Sequence, residues 1–318
     1  MFSLNELKQA TELVHRFIPE TPQYQWPLLA NRLRCQVWVK HENHTPVGAF
    51  KVRGGLVFIQ HLMQSQHDLK GIVSATRGNH GQSLAFAAAK VGLPVYIVVP
   101  EGNCSEKNAA MRALGAHVIE SGVDFDEARA KAKDLAEQNN WLSVPPFHPD
   151  LILGVATYAF ELFNAVSDID TVYVPIGMGS GICALIQVRN LLGLKTKIVG
   201  VVAQNADAFA QSFEKGEIVT TATANTIADG LACRMPLPEA FAVIKAGAER
   251  IVRVDEECIR QAICAYHEDT HNIAEGAGAA ALAALIKEQE QQQGKKIGVI
   301  LSGGNIDRAL YSQLLSQE

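Results

Sequence analysis

The chain has 318 residues, of which 48% are hydrophobic and 19% charged, the mixture of a soluble globular protein rather than a disordered or fibrous one. At roughly 100–200 residues per domain, the length excludes a single small module and predicts two domains or one large α/β unit. Lys and Arg total 28 against 33 Asp and Glu, a net charge of -5 with a pI near 6.1, and no basic run supplies the footprint that a phosphate backbone needs. Nucleic acid is therefore excluded as a partner.

In chain order, residues 1–8 carry Glu6 and lack a charged segment leading into an apolar one, so no secretory leader is expected and the cytoplasm is the expected compartment. Residues 46–55 place Lys51 between Phe50 and two glycines, after a Pro and Gly that redirect the backbone. A lysine is a Schiff-base nucleophile only where burial lowers its pKa, because the neutral amine must attack; otherwise Lys51 is a surface residue beside a turn. The polar stretch 61–70 reads as a connector.

From residue 71 the sequence alternates short apolar runs (71–75, 94–99, 117–119) with helical patterns (82–91, 105–114, 124–139), the signature of βαβ units on a parallel sheet. A second series follows, with strands at 171–175, 197–202 and 296–301 and helices at 182–192 and 206–215. Connector and Pro-rich exit 144–149 place a smaller domain at 71–147. Residues 1–63 and 148–318 then form a larger, discontinuous domain, with both crossings at a cleft suited to a ligand. The apolar stretch 277–286 is about half the roughly 20 residues of a bilayer span, so no membrane crossing is expected. Six dispersed cysteines without a CxxC pair read as reduced thiols.

Three strand ends add candidate chemistry. Thr76, Arg77, Gly78, Asn79 and His80 leave one strand and enter a helix, where neutral donors and helix N–H groups suit a carboxylate; a capped turn is the alternative. Gly177, Met178, Gly179, Ser180 and Gly181 let backbone amides approach a phosphate, with the helix dipole adding positive charge. That loop lacks the Lys-Ser/Thr ending of a nucleotide P-loop and the GxGxxG spacing of dinucleotide folds, so a small phosphorylated ligand fits better. Ser302 closes the last strand, where a hydroxyl can meet a ring nitrogen without carrying charge. His267-Glu268-Asp269-Thr270-His271 matches a zinc pattern, but Ala277 stands where a third ligand would fall, and it reads as the polar face of a helix. His41 and His44 read as structural residues in an extended context.

Together, in this order, the Lys51, 78–81, 177–181 and 302–305 segments resemble the fold-type II pyridoxal-phosphate enzymes of the serine/threonine dehydratase and serine racemase group, over residues 4–312. The resemblance implies an α/β fold of two domains, tryptophan synthase β-subunit-like, each an open, mostly parallel sheet flanked by helices. It implies pyridoxal 5′-phosphate as cofactor, a small amino-acid substrate and a homodimer. Lys51 would then hold the cofactor and act as acid and base, with Phe50 beside it. Asn79 would bond the 3′ oxygen, residues 177–181 would cradle the phosphate, Ser302 would face the pyridine nitrogen and Glu275 would lie near the ring. Thr76, Gly78, Asn79 and His80 fall on the carboxylate loop, with Arg129 near the cleft.

The implied reaction is elimination of water from threonine, serine or a related 3-hydroxy amino acid, giving a 2-oxo acid and ammonia. Three departures bear on substrate. Arg77 replaces the second acid/base serine of the racemases, so racemisation is not expected, and it would suit an anionic side chain such as that of 3-hydroxyaspartate. The family's Gly-Gln-Gly-Thr segment reads Gly154-Val155-Ala156-Thr157, and the residue before Phe50 is Ala49 rather than Ser. Val202 and Ala208 occupy the family's divalent-cation positions, so no metal is expected. The competing readings are β-replacement on the same fold and a catalytically silent cofactor- or amino-acid-binding protein.

Overall fold

A computed structural model describes residues 2–66 and 68–316; Met1 of the leader reading and His67 of the connector lie outside them. Among the described residues the strands are β1 Gln23–Gln25, β2 Gln36–His41, β3 Ile72–Ala75, β4 Val95–Val99, β5 His117–Glu120, β6 Leu142–Ser143, β7 Thr171–Pro175, β8 Lys197–Ala203, β9 Arg250–Val254 and β10 Lys296–Leu301. They form a six-stranded sheet, β1-β2-β10-β7-β8-β9, and a four-stranded sheet, β5-β4-β3-β6. Every pairing is parallel except β1 with β2. The expected pair of parallel α/β sheets is present, and the small sheet is confined to residues 72–143.

Side-chain alternation covers both faces of each sheet, as parallel sheets require. In β7, Val172 and Val174 enter one core and Tyr173 the other. In the small sheet, Ile72, Ile97 and Val99 join the first core, while Val73 and Val98 pack on Ala128, Ala132 and Ala136 of helix Phe125–Asn139. The apolar stretch after Gly276 is the buried helix Gly276–Lys287, and no described helix is long and apolar enough to cross a membrane.

Pairing of β2 with β10 brings the first and last site segments together. Ala49 bridges Gly303, the Phe50 amide donates to the Ser302 carbonyl at 3.0 Å, and the Gly304 amide donates to the Gly48 carbonyl at 2.9 Å. Two expected helices begin earlier than the sequence pattern predicts, at Asn79 and Ser180 instead of 82 and 182. Gly78 and Gly179 serve as N-caps, so Asn79, His80, Ser180 and Gly181 belong to first turns rather than loops.

Three further expectations are corrected. The connector begins later, because helix Lys51–Ser65 continues past His61 to bury Leu62. His271 lies just past helix Glu256–Thr270 in the left-handed region, at φ 52°, which takes it off the helix face shared with His267. His41 ends β2, an extended context as expected, but His44 lies in a 3-10 turn, and the two rings stack at 4.7 Å.

Candidate active site

A cleft of about 1610 Å³ opens between the two sheets, and Lys51, Thr76, Asn79, His80, Gly177 and Met178 line it. Arg77, Gly78 and Arg129 also reach it, whereas Phe50, Gly179, Ser180, Gly181, Glu275 and Ser302 lie behind that wall. The four segments singled out in the sequence thus converge on one place.

Lys51 opens helix Lys51–Ser65, and its Nζ sits 4.9 Å from the centre of the Phe50 ring. Among the described residues that amine has no hydrogen-bond or ion-pair partner. Burial pushes it down to about 8, against the opposing pull of the Glu275 charge. Roughly a tenth of the amine is therefore neutral at pH 7, far more than for an ordinary lysine, and the neutral form is the nucleophile.

The loop after β3 is built for acceptors. Thr76 and His80 are buried, Arg77 is exposed, and the Gly78 amide donates to Thr76 Oγ1 at 3.1 Å. Burial, then the Lys51 charge, push His80 down to about 3, so its imidazole is neutral, and its buried Nε2 has no partner among the described residues. Asn79 Nδ2 donates to Glu275 Oε1 at 2.6 Å while Asn79 Oδ1 accepts from Asn305 Nδ2 at 2.8 Å.

The glycine loop after β7 leads into helix Ser180–Leu191. The first bond of that helix runs from the Cys183 amide to the Gly179 carbonyl, leaving the Ser180, Gly181 and Ile182 amides without intrahelical partners. A Cβ at residue 177 would come within 2.1 Å of the Gly230 carbonyl oxygen, and Gly179 has φ +98°, so both positions favour glycine. Tyr158 anchors the turn by donating to the Gly181 carbonyl at 3.2 Å. Ser302, buried behind the cleft, makes only a 3.4 Å bond from its hydroxyl to the Ala277 carbonyl. An unpartnered amine, a neutral imidazole, free helix amides and an underused hydroxyl fit a phosphorylated aldehyde cofactor.

Lys107, Asp229 and Asn305 are site residues that sequence reasoning missed. Lys107 Nζ, buried in the cleft, donates to Asp229 Oδ2 at 2.6 Å and to Glu275 Oε2 at 3.4 Å. Their separations of 122 and 168 residues leave no local signal; Asn305 ends the Ser302 segment and was visible only as a turn residue.

This cleft at strand ends, with an amine nucleophile and a helix-borne anion cradle, defines a cofactor-dependent α/β enzyme class. Residues 14–303 match the family described as pyridoxal-phosphate dependent enzyme, and the chain belongs to that family. It is 32% identical over 307 residues to a biosynthetic L-threonine dehydratase of Haemophilus influenzae, covering 96% of this chain but only 60% of that relative. It is 31% identical over 312 residues to the L-threo-3-hydroxyaspartate ammonia-lyase of Saccharomyces cerevisiae, covering 98% of this chain and 95% of the relative. The solved processed form of threonine deaminase isoform 2 from Solanum lycopersicum superposes with a TM-score of 0.90 at 29% identity, covering 99% of this chain and 95% of that one.

Proposed function

We propose that this chain is a pyridoxal-phosphate-dependent ammonia-lyase that removes water from a 3-hydroxy amino acid such as threonine or serine. The observation that carries this reading is the unpartnered Lys51 amine, lowered by burial, in a cleft whose other walls are neutral donors and a phosphate cradle. Lys51 would hold the cofactor beside Phe50, residues 177–181 its phosphate, Asn79 its 3′ oxygen and Ser302 its ring nitrogen, with Glu275 behind. The bound cofactor supplies the electron sink that acidifies the substrate's Cα–H.

Thr76, Gly78, Asn79 and His80 bind the substrate carboxylate through neutral donors, which leaves Lys51 as the base. Lys51 takes the Cα proton and the Cβ–O bond breaks; the proton taken and the hydroxide released together account for the one water lost. Hydrolysis of the resulting unsaturated amine returns one water and gives a 2-oxo acid and ammonia. The same reading carries a homodimer, a cytoplasmic setting and division into a small domain at 71–147 and a large one on either side.

Borohydride reduction followed by peptide mapping tests the anchor, with a phosphopyridoxyl adduct expected on Lys51 and ammonia release expected from threonine or serine. An adduct elsewhere, or none after added pyridoxal phosphate, overturns the reading in favour of a silent binding protein. A second reading has its own observation: Arg77 and Arg129 both reach the cleft, and neither side chain has a hydrogen-bond or ion-pair partner among the described residues. Two free guanidiniums suit a substrate with an anionic side chain, as in 3-hydroxyaspartate. Arg77→Ala should then lose activity on hydroxyaspartate and keep it on threonine; equal losses on both remove this reading.

A further inference from the structure

Lys107 stands on helix Ser105–Ala113, which packs beside the small sheet, yet its ammonium is spent on the other side of the cleft. Asp229 opens a 3-10 turn and Glu275 caps helix Gly276–Lys287, both beside the large sheet. The path of the lysine is built in: a Cβ on Gly78 would come within 2.5 Å of Lys107 Cδ, so its stem runs directly under the carboxylate loop. From Glu275 the contacts continue. Its Oε1 accepts from Asn79, Asn79 accepts from Asn305, and Asn305 donates to the Val47 carbonyl at 2.8 Å, four residues before Lys51.

We propose that Lys107 is a positioning residue whose ammonium, reaching across the cleft, keeps Glu275 a charged acceptor and thereby fixes the Asn79 amide at the site. The proposal rests on the cofactor reading only for what Asn79 faces. Asn79 can donate to Glu275 Oε1 and accept from Asn305 in one orientation of its amide, and that orientation is stable while Oε1 is a strong acceptor. Buried carboxylates without a cation take up a proton, which turns the charged acceptor that Asn79 meets into a weaker neutral one.

The charged groups facing Glu275 are Lys107, Asp229 and Lys51, with Asn79 the neutral donor. Burial pushes the Glu275 carboxyl up, the Lys107 charge draws it down and the Asp229 charge pushes it up again, so that on balance it stands above the ordinary carboxylate range, held back by the Lys107 cation. On Lys107 itself, burial favours the neutral amine, but the Glu275 and Asp229 charges outweigh it and hold the group above the ordinary lysine range. The cation is therefore permanent, and the carboxylate depends on it.

The test is the titration of the Glu275 carboxyl, followed by carbon-13 NMR in the protein as purified, with and without added pyridoxal phosphate, its signal assigned by Glu275→Gln. In Lys107→Met, which keeps the stem against Gly78, the Glu275 midpoint should rise by about one pH unit or more and cofactor affinity fall about tenfold. Lys107→Arg should restore both. Should the Met variant fail to fold, Asp229→Asn leaves the lysine in place and removes the opposing charge, so the Glu275 midpoint should fall. A folded Lys107→Met protein with an unmoved midpoint, failure of Lys107→Arg to restore it, or an Asp229→Asn midpoint that stays put or rises, overturns the proposal. Absence of cofactor binding in the parent protein would instead defeat the functional reading, while the carboxyl titration still decides the role of Lys107.

Discussion

Two cations sit two residues apart on helix Lys51–Ser65 and live in opposite worlds. Arg53 is fully buried, and its guanidinium bonds both oxygens of Glu42 at 2.7 and 3.0 Å, both oxygens of Glu161 at 2.6 and 2.8 Å, Thr157 and Thr21. Lys40, equally buried, completes the set by donating to Glu161, the Thr21 carbonyl and Gln23. Two cations answer two carboxylates, and each polar group has partners. Lys51 has none. A buried charge that is fully answered holds a scaffold in one arrangement, while a desolvated one left unanswered gives up its proton more readily than an ordinary lysine.

Lys51→Ala should break the reactive half alone. Loss of both anchor and proton carrier should reduce ammonia release about ten-thousandfold. Urea unfolding of the cofactor-free variant should show stability unchanged or higher, because no bond is lost. A clear loss of stability would mean that Lys51 is part of the scaffold after all.

Arg53→Met attacks the other half. It strands Glu42 and Glu161 in the core, which should cost about 3–5 kcal/mol in urea unfolding. A variant as stable as the parent would show that the network relaxes into water, and the contrast between the two cations would disappear.

Titration sharpens the same contrast: both shifts make stability rise with pH, but the Glu161 charge stabilises the fold while the Lys51 charge opposes it. For Glu161 burial pushes the carboxyl up, but Arg53 and then Lys40 outweigh it and bring the group from 4.5 to about 2. The folded protein therefore holds fewer protons than the unfolded chain between those values, so the stabilisation is present above pH 4.5 and lost as pH falls toward 2. Lys51 shifts from 10.5 to about 8. Its folded form is the less protonated one between pH 8 and 10.5, so the cofactor-free protein should gain about 3 kcal/mol as pH rises through that window. Paired unfolding curves of the parent and Lys51→Met read this directly: the difference between them should close across pH 8–10.5, and a constant difference would mean that Lys51 is not desolvated.

The same contrast explains what was legible in the sequence. The candidate site groups lie beside glycines and turn residues, three segments at strand ends and Lys51 at the start of a helix, so Lys51, the 76–80 loop, residues 177–181 and Ser302 could be read from local pattern. The scaffold network could not. Lys40 and His41 break the apolar run of β2, so that strand went unread although it neighbours β10. Glu161 sits inside the apolar helix Pro149–Ala165, and Arg53, in the Lys51 motif itself, looks like a surface residue until Glu161 arrives from 108 residues away. β9, where Arg250 and Arg253 fall three residues apart and spoil the strand alternation, was missed because those positions are ion-paired to Glu288, Asp207 and Glu214 rather than solvated. The Lys107 pairs join the two sheets and exist only once the cleft has formed.

Tyr158 joins the two regions and should give the smallest effect. It follows Thr157 of the Arg53 network on helix Pro149–Ala165, meets the Phe50 ring edge-on at 6.1 Å between centres, and donates to the Gly181 carbonyl. That carbonyl also faces the amide one helical turn ahead, so Tyr158→Phe removes a bond without leaving a buried acceptor bare. The ring and its packing on Phe50 stay. Unfolding should therefore show a loss of only about 1 kcal/mol, with cofactor affinity down about fivefold as the start of helix Ser180–Leu191 loosens. A loss of stability comparable to that of Arg53→Met would place Tyr158 within the charge network. Unchanged affinity would mean that the glycine loop holds its shape from its own backbone, independently of the scaffold behind it.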